Sequence, residues 1–263
     1  MIRHALILAN LFAPAVWVFS GFDLVWLGVM FAVHMLTLYA TLVPGCSWWG
    51  PVQCTLPRAG DAVWITVDDG PDGVATRAAM DLLEEAGARA TFFLIVRKAE
   101  SDPDLVREIG RRGHGVGSHT SSHPARAFWR HGPRRLWAGI GGGGRALGEI
   151  LGSDPKLFRA PAGMRNFFVH PLLRELGLPL VAWSARGFDG SRGDIDRIVG
   201  RIARRLKPGA IVLLHESRRG EKGSPLLLDV LPRVLAAVRE KGLGFVSPDD
   251  ALKLLCEKLP DSC

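Results

Sequence analysis

Residues 62–71 read AVWITVDDGP. Ala62 to Val67 is an unbroken apolar and β-favouring run, which predicts a strand buried on both faces. The polar run that stops it, Asp68-Asp69-Gly70-Pro71, predicts a turn that carries two adjacent carboxylates. A strand buried on both faces belongs in a parallel sheet covered by helices, so this stretch sets the fold class.

The chain downstream keeps the same rhythm. Helices are predicted over 76–86, stopped by Gly87, and over 103–112, where Pro103 follows the capping-type Asp102. More helices are predicted around 135–151, 171–176, 195–206, 226–241 and 248–259. Short strands are predicted over 91–96, 116–118, 180–183, 211–214 and 245–246, and near Phe158. About seven strand-helix repeats imply an α/β fold, a distorted (β/α)7-8 barrel. Gly141 to Gly144 reads as a flexible joint and not as a phosphate loop, because no Lys-Ser/Thr follows it.

The first 45 residues differ in kind. Between Ala5 and Val43 only Asp23 and His34 are plainly charged or titratable. A span needs ~20 apolar residues, so Leu24 to Val43 qualifies, and Ala5 to Ser20, with Pro14 inside, is near the lower limit. Two membrane-inserted helices joined at Gly21-Phe22-Asp23 are expected, giving a hydrophobic segment over 1–45 and a catalytic domain over 57–263. Arg3 and His4 precede the first helix and Arg58 follows the second. A hairpin would therefore hold the domain at the cytoplasmic face, whereas a single span would place it outside the cytoplasm.

The net charge of +7 favours anionic partners, but no nucleic-acid motif accompanies it, and nucleic acid is not an expected partner. Arg126, Arg130, His131, Arg134 and Arg135 interleave with Phe128, Trp129 and Trp137, a mixture suited to lipid headgroups. Cys46, Cys54, Cys256 and Cys263 lack metal-site spacing; pairs 46–54 and 256–263 are the possible bridges in an oxidising compartment.

In barrels the reactive groups project from the C-terminal ends of strands. The polar residues there are Asp68 and Asp69, then His119 with His123, then Arg159, the Trp183-to-Asp189 stretch, and His215. His119 and His123 can meet one cation if Thr-Ser-Ser between them turns, and Asp69 or Asp68 supplies a third ligand. The other aspartate is then free to take a proton from an attacking water.

Thr66-Val67-Asp68-Asp69-Gly70-Pro71, His119-Thr120-Ser121-Ser122-His123-Pro124, Arg159-Ala160-Pro161-Ala162-Gly163 and Leu213-Leu214-His215 resemble the ordered motifs of the polysaccharide deacetylases of carbohydrate esterase family 4, the NodB-type homology domain. The resemblance spans about residues 57 to 250 and implies hydrolysis of N-acetyl groups on glycans with a divalent metal, zinc first and cobalt, nickel or manganese as alternatives. It implies Asp68 as general base, Asp69, His119 and His123 as metal ligands, His215 as the acid for the leaving amine, and Arg159 as the holder of Asp68. The Ala162 backbone N–H would face the oxyanion, with Pro161 and Leu213 also contacting substrate. Trp183 would form a wall of the acetyl pocket and Asp189 would orient His215.

The chain departs from the pattern at Val67 and Ala162, where aromatics are usual; Ala162 should widen the cleft. The Trp183-to-Asp189 stretch lacks the usual Asp-Trp ending. The expected function is N-deacetylation of an amino-sugar glycan or lipid-linked saccharide at a membrane, with membrane lipid as a partner. The alternatives are a deformylase or O-deacetylase, a soluble polysaccharide or peptidoglycan deacetylase, or an inactive glycan-binding membrane protein.

Overall fold

The computed structural model describes residues 2–189, 194–220 and 223–258 of the 263. Two apolar helices come first, α1 (Ile2–Phe19) and α2 (Leu24–Leu42). Then follow β1 (Ala62–Gly70), α3 (Gly73–Glu85), β2 (Ala90–Leu94), α4 (Val96–Ser101), α5 (Pro103–Arg111) and β3 (Gly115–Ser118). Next are α6 (Pro133–Trp137), α7 (Gly143–Leu151), α8 (Val169–Glu175), β4 (Ala185–Arg186), α9 (Ile195–Ala203) and β5 (Ile211–His215). The described part ends with α10 (Leu226–Glu240), β6 (Gly244–Phe245) and α11 (Pro248–Lys258).

The strands form one parallel sheet in the order β3-β2-β1-β5-β4, with β6 against the start of β1. β1 alternates as a doubly covered strand must. Val63, Ile65 and Val67 enter the larger core, with Ala79 and Met80 of α3 and Val230 and Val234 of α10. Trp64 packs on the other face with Phe93, Val181 and Ile211. Each large side chain fully buried this way contributes ~1.5–3 kcal/mol. The same period of two delivers Thr66 and Asp68 to the Trp64 side, where the chemistry is.

Three expectations need correction. The described residues hold six strands, not seven or eight. Phe158 makes only single bridges, to Ser118 and Leu180. The strand expected over 180–183 is reduced to bridges at Leu180 and Val181, and the ladder forms instead at Ala185–Arg186. The glycine run is no joint. Ala138–Gly142 forms a π-helical turn that continues α6 into α7. A Cβ on Gly141 would meet the Trp137 ring at 2.6 Å, and one on Gly143 would meet Ser121 Oγ at 2.9 Å. These glycines therefore permit close packing against Trp137 and Ser121. The short helix α4 has no counterpart in the sequence expectations.

The helices α1 and α2 are long and apolar enough to cross a membrane, with mean hydropathy 1.5 and 1.7, and only 6% and 11% of their residues are buried. That exposure separates them from the core helices of the sheet domain. Asp23 caps α2 by accepting from Val25 N at 2.7 Å, and Asn10 Nδ2 donates to Thr37 Oγ1 at 2.7 Å between the helices. The pair is fastened to the sheet domain by Arg165. Its buried guanidinium donates to the carbonyls of Val43, Pro44, Cys46 and Gly163, and its backbone N–H donates to Thr41 O. Cys46 keeps a free thiol, so no 46–54 bridge forms, and Cys263 lies outside the described residues.

Candidate active site and metal centre

The functional side chains meet at the C-terminal ends of β1, β3 and β5. Asp68 arrives on the inner face by strand alternation, and its neighbour Asp69 would then point the opposite way. Two local features turn Asp69 back: its φ is 72°, and the pairing of β1 with β2 shifts register between Asp68 and Gly70. Lys98 Nζ donates to Asp69 O at 2.7 Å, and Ser217 Oγ donates to Asp69 Oδ2 at 2.7 Å. The 119–123 turn is similarly forced, with Thr120 at φ 70° and His123 at φ 49°. His123 N donates to Thr120 Oγ1, and Ser121 N to Gly139 O in the π-helical turn, both at 3.1 Å. Left-handed non-glycine backbone is strained and persists where surrounding contacts over-determine it.

The result is a compact His-His-Asp group. His119 Nε2 lies 3.7 Å and His123 Nε2 3.3 Å from Asp69 Oδ1, and the three ligand atoms all fall within 4.8 Å of one another. His119 Nδ1 sits 2.8 Å from Arg159 O, which assigns its proton to Nδ1 and leaves Nε2 as a lone-pair donor to a metal. Asp69 Oδ1 is buried with no hydrogen-bond partner. An orphaned carboxylate oxygen facing two imidazole nitrogens fits a divalent cation, because three ligands ~2.0–2.2 Å from one ion sit about 3–3.6 Å apart. Burial raises the Asp69 pKa, but His119, His123 and His215 with the Ser217 hydrogen bond outweigh it, so the carboxylate stays ionised more readily than usual. Burial and the neighbouring His119 push His123 down to about 4 against the pull of Asp69, which keeps it neutral and able to ligate.

Two buried partners flank the triad. Arg159, fully buried, donates from Nη1 to Asp68 Oδ1 at 2.6 Å and Thr66 Oγ1 at 2.8 Å, from Nη2 to Ala182 O at 3.0 Å and from Nε to Val181 O at 3.3 Å. It lies over the Phe93 ring at 4.1 Å. Burial depresses its pKa, and the Asp68 carboxylate opposes that. Asp68 Oδ2 stands 3.7 Å from His119 Nε2. Across the site, Asp189 accepts from His215 N at 2.8 Å and lies 2.9 Å from His215 Nδ1. Burial would lower the His215 pKa, but Asp189, with Asp68 and Asp69, raises it to about 8.

These groups open on a cleft of about 310 Å³. Its lining includes Asp68, Asp69, His119, His123 and His215 with Ala162, Trp183 and Leu213, and adds Ala125, Arg186, Phe188 and Arg218. Ala162 is itself left-handed (φ 53°). Of the sequence-derived positions, Pro161 is buried and outside this lining, while Arg159 and Asp189 stand behind it.

A polysaccharide deacetylase family model matches residues 56–181. A chitooligosaccharide deacetylase of Sinorhizobium fredii is 35% identical over 166 residues, 62% of this chain and 76% of the relative. The chain belongs to the polysaccharide deacetylase family. That places it among the N-deacetylases, hydrolases of non-peptide carbon–nitrogen bonds. A peptidoglycan-N-acetylglucosamine deacetylase of Bacillus cereus is 29% identical over 215 residues, 78% of this chain and 94% of the relative. Among solved structures, the Bc1960 peptidoglycan N-acetylglucosamine deacetylase superposes with a TM-score of 0.70 at 28% identity, covering 77% of this chain and 92% of that one.

For this polysaccharide deacetylase, sequence reasoning missed Thr66, Lys98 and Ser217, which hold Arg159 and Asp69. It also passed over Arg186, Phe188 and Arg218 in the cleft. Thr66 was readable, since alternation puts it beside Asp68; Ser217 and Lys98 come from other elements and carry no local signal.

Proposed function

We propose that the protein removes N-acetyl groups from an amino sugar of a membrane-associated glycan, with Asp69, His119 and His123 holding a divalent cation. The observation that carries the reading is the orphaned Asp69 Oδ1 facing two imidazoles, with Asp68 secured on one side and His215 on the other. A bound cation would supply Lewis acidity toward water and the acetyl oxygen. The neutral imidazoles and single carboxylate suit zinc first, then cobalt, nickel or manganese.

Asp68 is held by Arg159 through Oδ1, so Oδ2 is the oxygen that takes the proton from the attacking water. Water adds to the acetyl carbon, the Ala162 N–H donates to the oxyanion, and the carbon–nitrogen bond breaks. His215, with Nδ1 committed to Asp189, delivers a proton from Nε2 to the departing amine. Acetate and the free amino sugar leave. Trp183 walls the acetyl pocket and Leu213 shapes its floor, with Pro161 buried behind the lining next to Ala162.

Relatives named for peptidoglycan N-acetylglucosamine and chitooligosaccharides support N-acetylglucosamine as the sugar. The exposed apolar pair α1–α2 supports a membrane segment over 1–45 that carries the catalytic domain over 57–263. Arg3 in the first turn of α1, Asp23 in the turn between the helices and Arg58 after the pair support a hairpin with the domain on the cytoplasmic side. Asn166 Nδ2 donates to Trp129 O and His131 O. This ties the basic-aromatic segment beside the loop that Arg165 fastens to α2, and so supports contact with lipid headgroups. The bridges of Phe158 to Ser118 and Leu180 support reading the sheet as a distorted barrel.

The test is acetate release from soluble and lipid-linked N-acetylglucosamine by native, chelated and Asp68→Asn protein. Release that needs both metal and Asp68, and is faster on the lipid-linked sugar, is expected. Metal-loaded protein that releases no acetate from either substrate refutes deacetylation, and equal rates on both refute the membrane-associated substrate.

A further inference from the structure

Two guanidinium groups line the cleft without a part in the deacetylation just described. Arg186 lies on β4 opposite Leu213 of β5, and Arg218 comes from the loop that follows β5. Arg186 is partly buried against the rings of Phe188 and Trp183, at 4.3 Å and 5.4 Å, and its Nε is buried with no hydrogen-bond partner. Arg218 is exposed at the rim. The nearby carboxylates are already engaged: Asp68 with Arg159, Asp189 with His215, and Asp69 with its histidines and Ser217. Among the described residues neither Arg186 nor Arg218 forms a salt bridge.

A desolvated guanidinium with an idle donor is unfavourable until an acceptor arrives. Sugar hydroxyls would satisfy the donor but bring no counter-charge to Arg218 or to Arg186, which shares the attraction of Asp189 and Asp68 with His215 and Arg159. Resting on the deacetylase reading of this cleft, we propose that Arg186 and Arg218 form a subsite for a phosphate group carried by the amino sugar, so that the substrate is a glycosyl phosphate and not a neutral glycan. One planar fork suffices for the two oxygens of a carboxylate; two guanidiniums on separate segments suit the additional oxygens of a phosphate. The Phe188 and Trp183 rings hold the Arg186 plane in place for that contact.

The experiment measures binding of N-acetylglucosamine, N-acetylmuramic acid and N-acetylglucosamine 1-phosphate to the full-length protein in detergent by calorimetry. Metal-loaded and chelated protein are compared, so that phosphate held by the cation is not counted. The phosphate ester should bind roughly 10- to 100-fold more tightly than the neutral sugar in both states. Arg186→Gln and Arg218→Gln should each shrink that ratio, and Arg186→Lys should retain part of it. Arg218 stands at the exposed rim, so its variant remains informative if Arg186→Gln fails to fold. Equal affinity for the three compounds, or an unchanged ratio in both glutamine variants, overturns the subsite. Preference for the muramic acid carboxylate overturns the phosphate assignment. Acetate release recorded in parallel separates the two readings: release without phosphate preference removes only the subsite, and phosphate preference without release removes only the deacetylase.

Discussion

The cleft and the α1–α2 pair handle unmatched groups in opposite ways. In the cleft, charge is taken out of water and met by counter-ions or hydrogen-bonding groups, as the Arg159 guanidinium is by the acceptors Asp68, Thr66 and two carbonyls. In the helical pair, apolar side chains such as Phe19, Leu24 and Val25 remain exposed at 89%, 80% and 72%, with little protein to cover them. The lesson concerns where unmet demand sits. The sheet domain confines it to single buried polar atoms, Asp69 Oδ1 and Arg186 Nε at the cleft among them, and the hairpin leaves it over a whole apolar surface.

The strongest way to break this contrast is to remove a polar atom of the triad. Asp69→Asn should lose bound metal, read by metal analysis, and with it activity to background. Asp68→Asn should keep the metal and lose ~10²- to 10⁴-fold in kcat, the usual worth of a positioned general base. Asp68→Ala should also destabilise the fold by about 3–5 kcal/mol in reversible denaturation, because Arg159 is left charged and buried without its carboxylate.

Asp189→Asn probes the opposite side. His215 as general acid must be protonated, so kcat/KM should fall above a limb near pH 8, and that limb should move to lower pH when the carboxylate is removed. The sign for stability follows from the same shift. The folded pKa is raised from 6.5 to about 8, so the pair's contribution is full below pH 6.5 and is lost as pH rises through about 8. A limb that stays put in the variant would sever His215 from Asp189. The smallest effect is expected in the hairpin, where Asn10→Leu removes the hydrogen bond to Thr37 and should weaken helix pairing in detergent by only ~0.6 kcal/mol.

Much of this was legible in the chain. The apolar run 62–67 fixed a doubly covered parallel strand, and strand-end position with residue type brought Asp68, Asp69, His119, His123, Arg159 and His215 together. What could not be read depended on non-local closure. Phe158 and Leu180 look like strand centres, yet make single bridges, since pairing depends on neighbours distant in sequence. The glycines at 141–144 suggested flexibility by composition, whereas close approach to Trp137 at Gly141 and to Ser121 at Gly143 is what requires small residues at those two positions. Arg165 carries no motif at all; its partners are backbone carbonyls about 120 residues away, a relation that no local pattern encodes.

That same Arg165 ties the end of α2 to Gly163, the neighbour of Ala162 in the cleft lining. If the hairpin lies in a bilayer, catalysis becomes a search in two dimensions: turnover should follow the number of substrate molecules per unit area of membrane, and diluting the substrate with inert lipid should slow the enzyme even when the bulk concentration is unchanged.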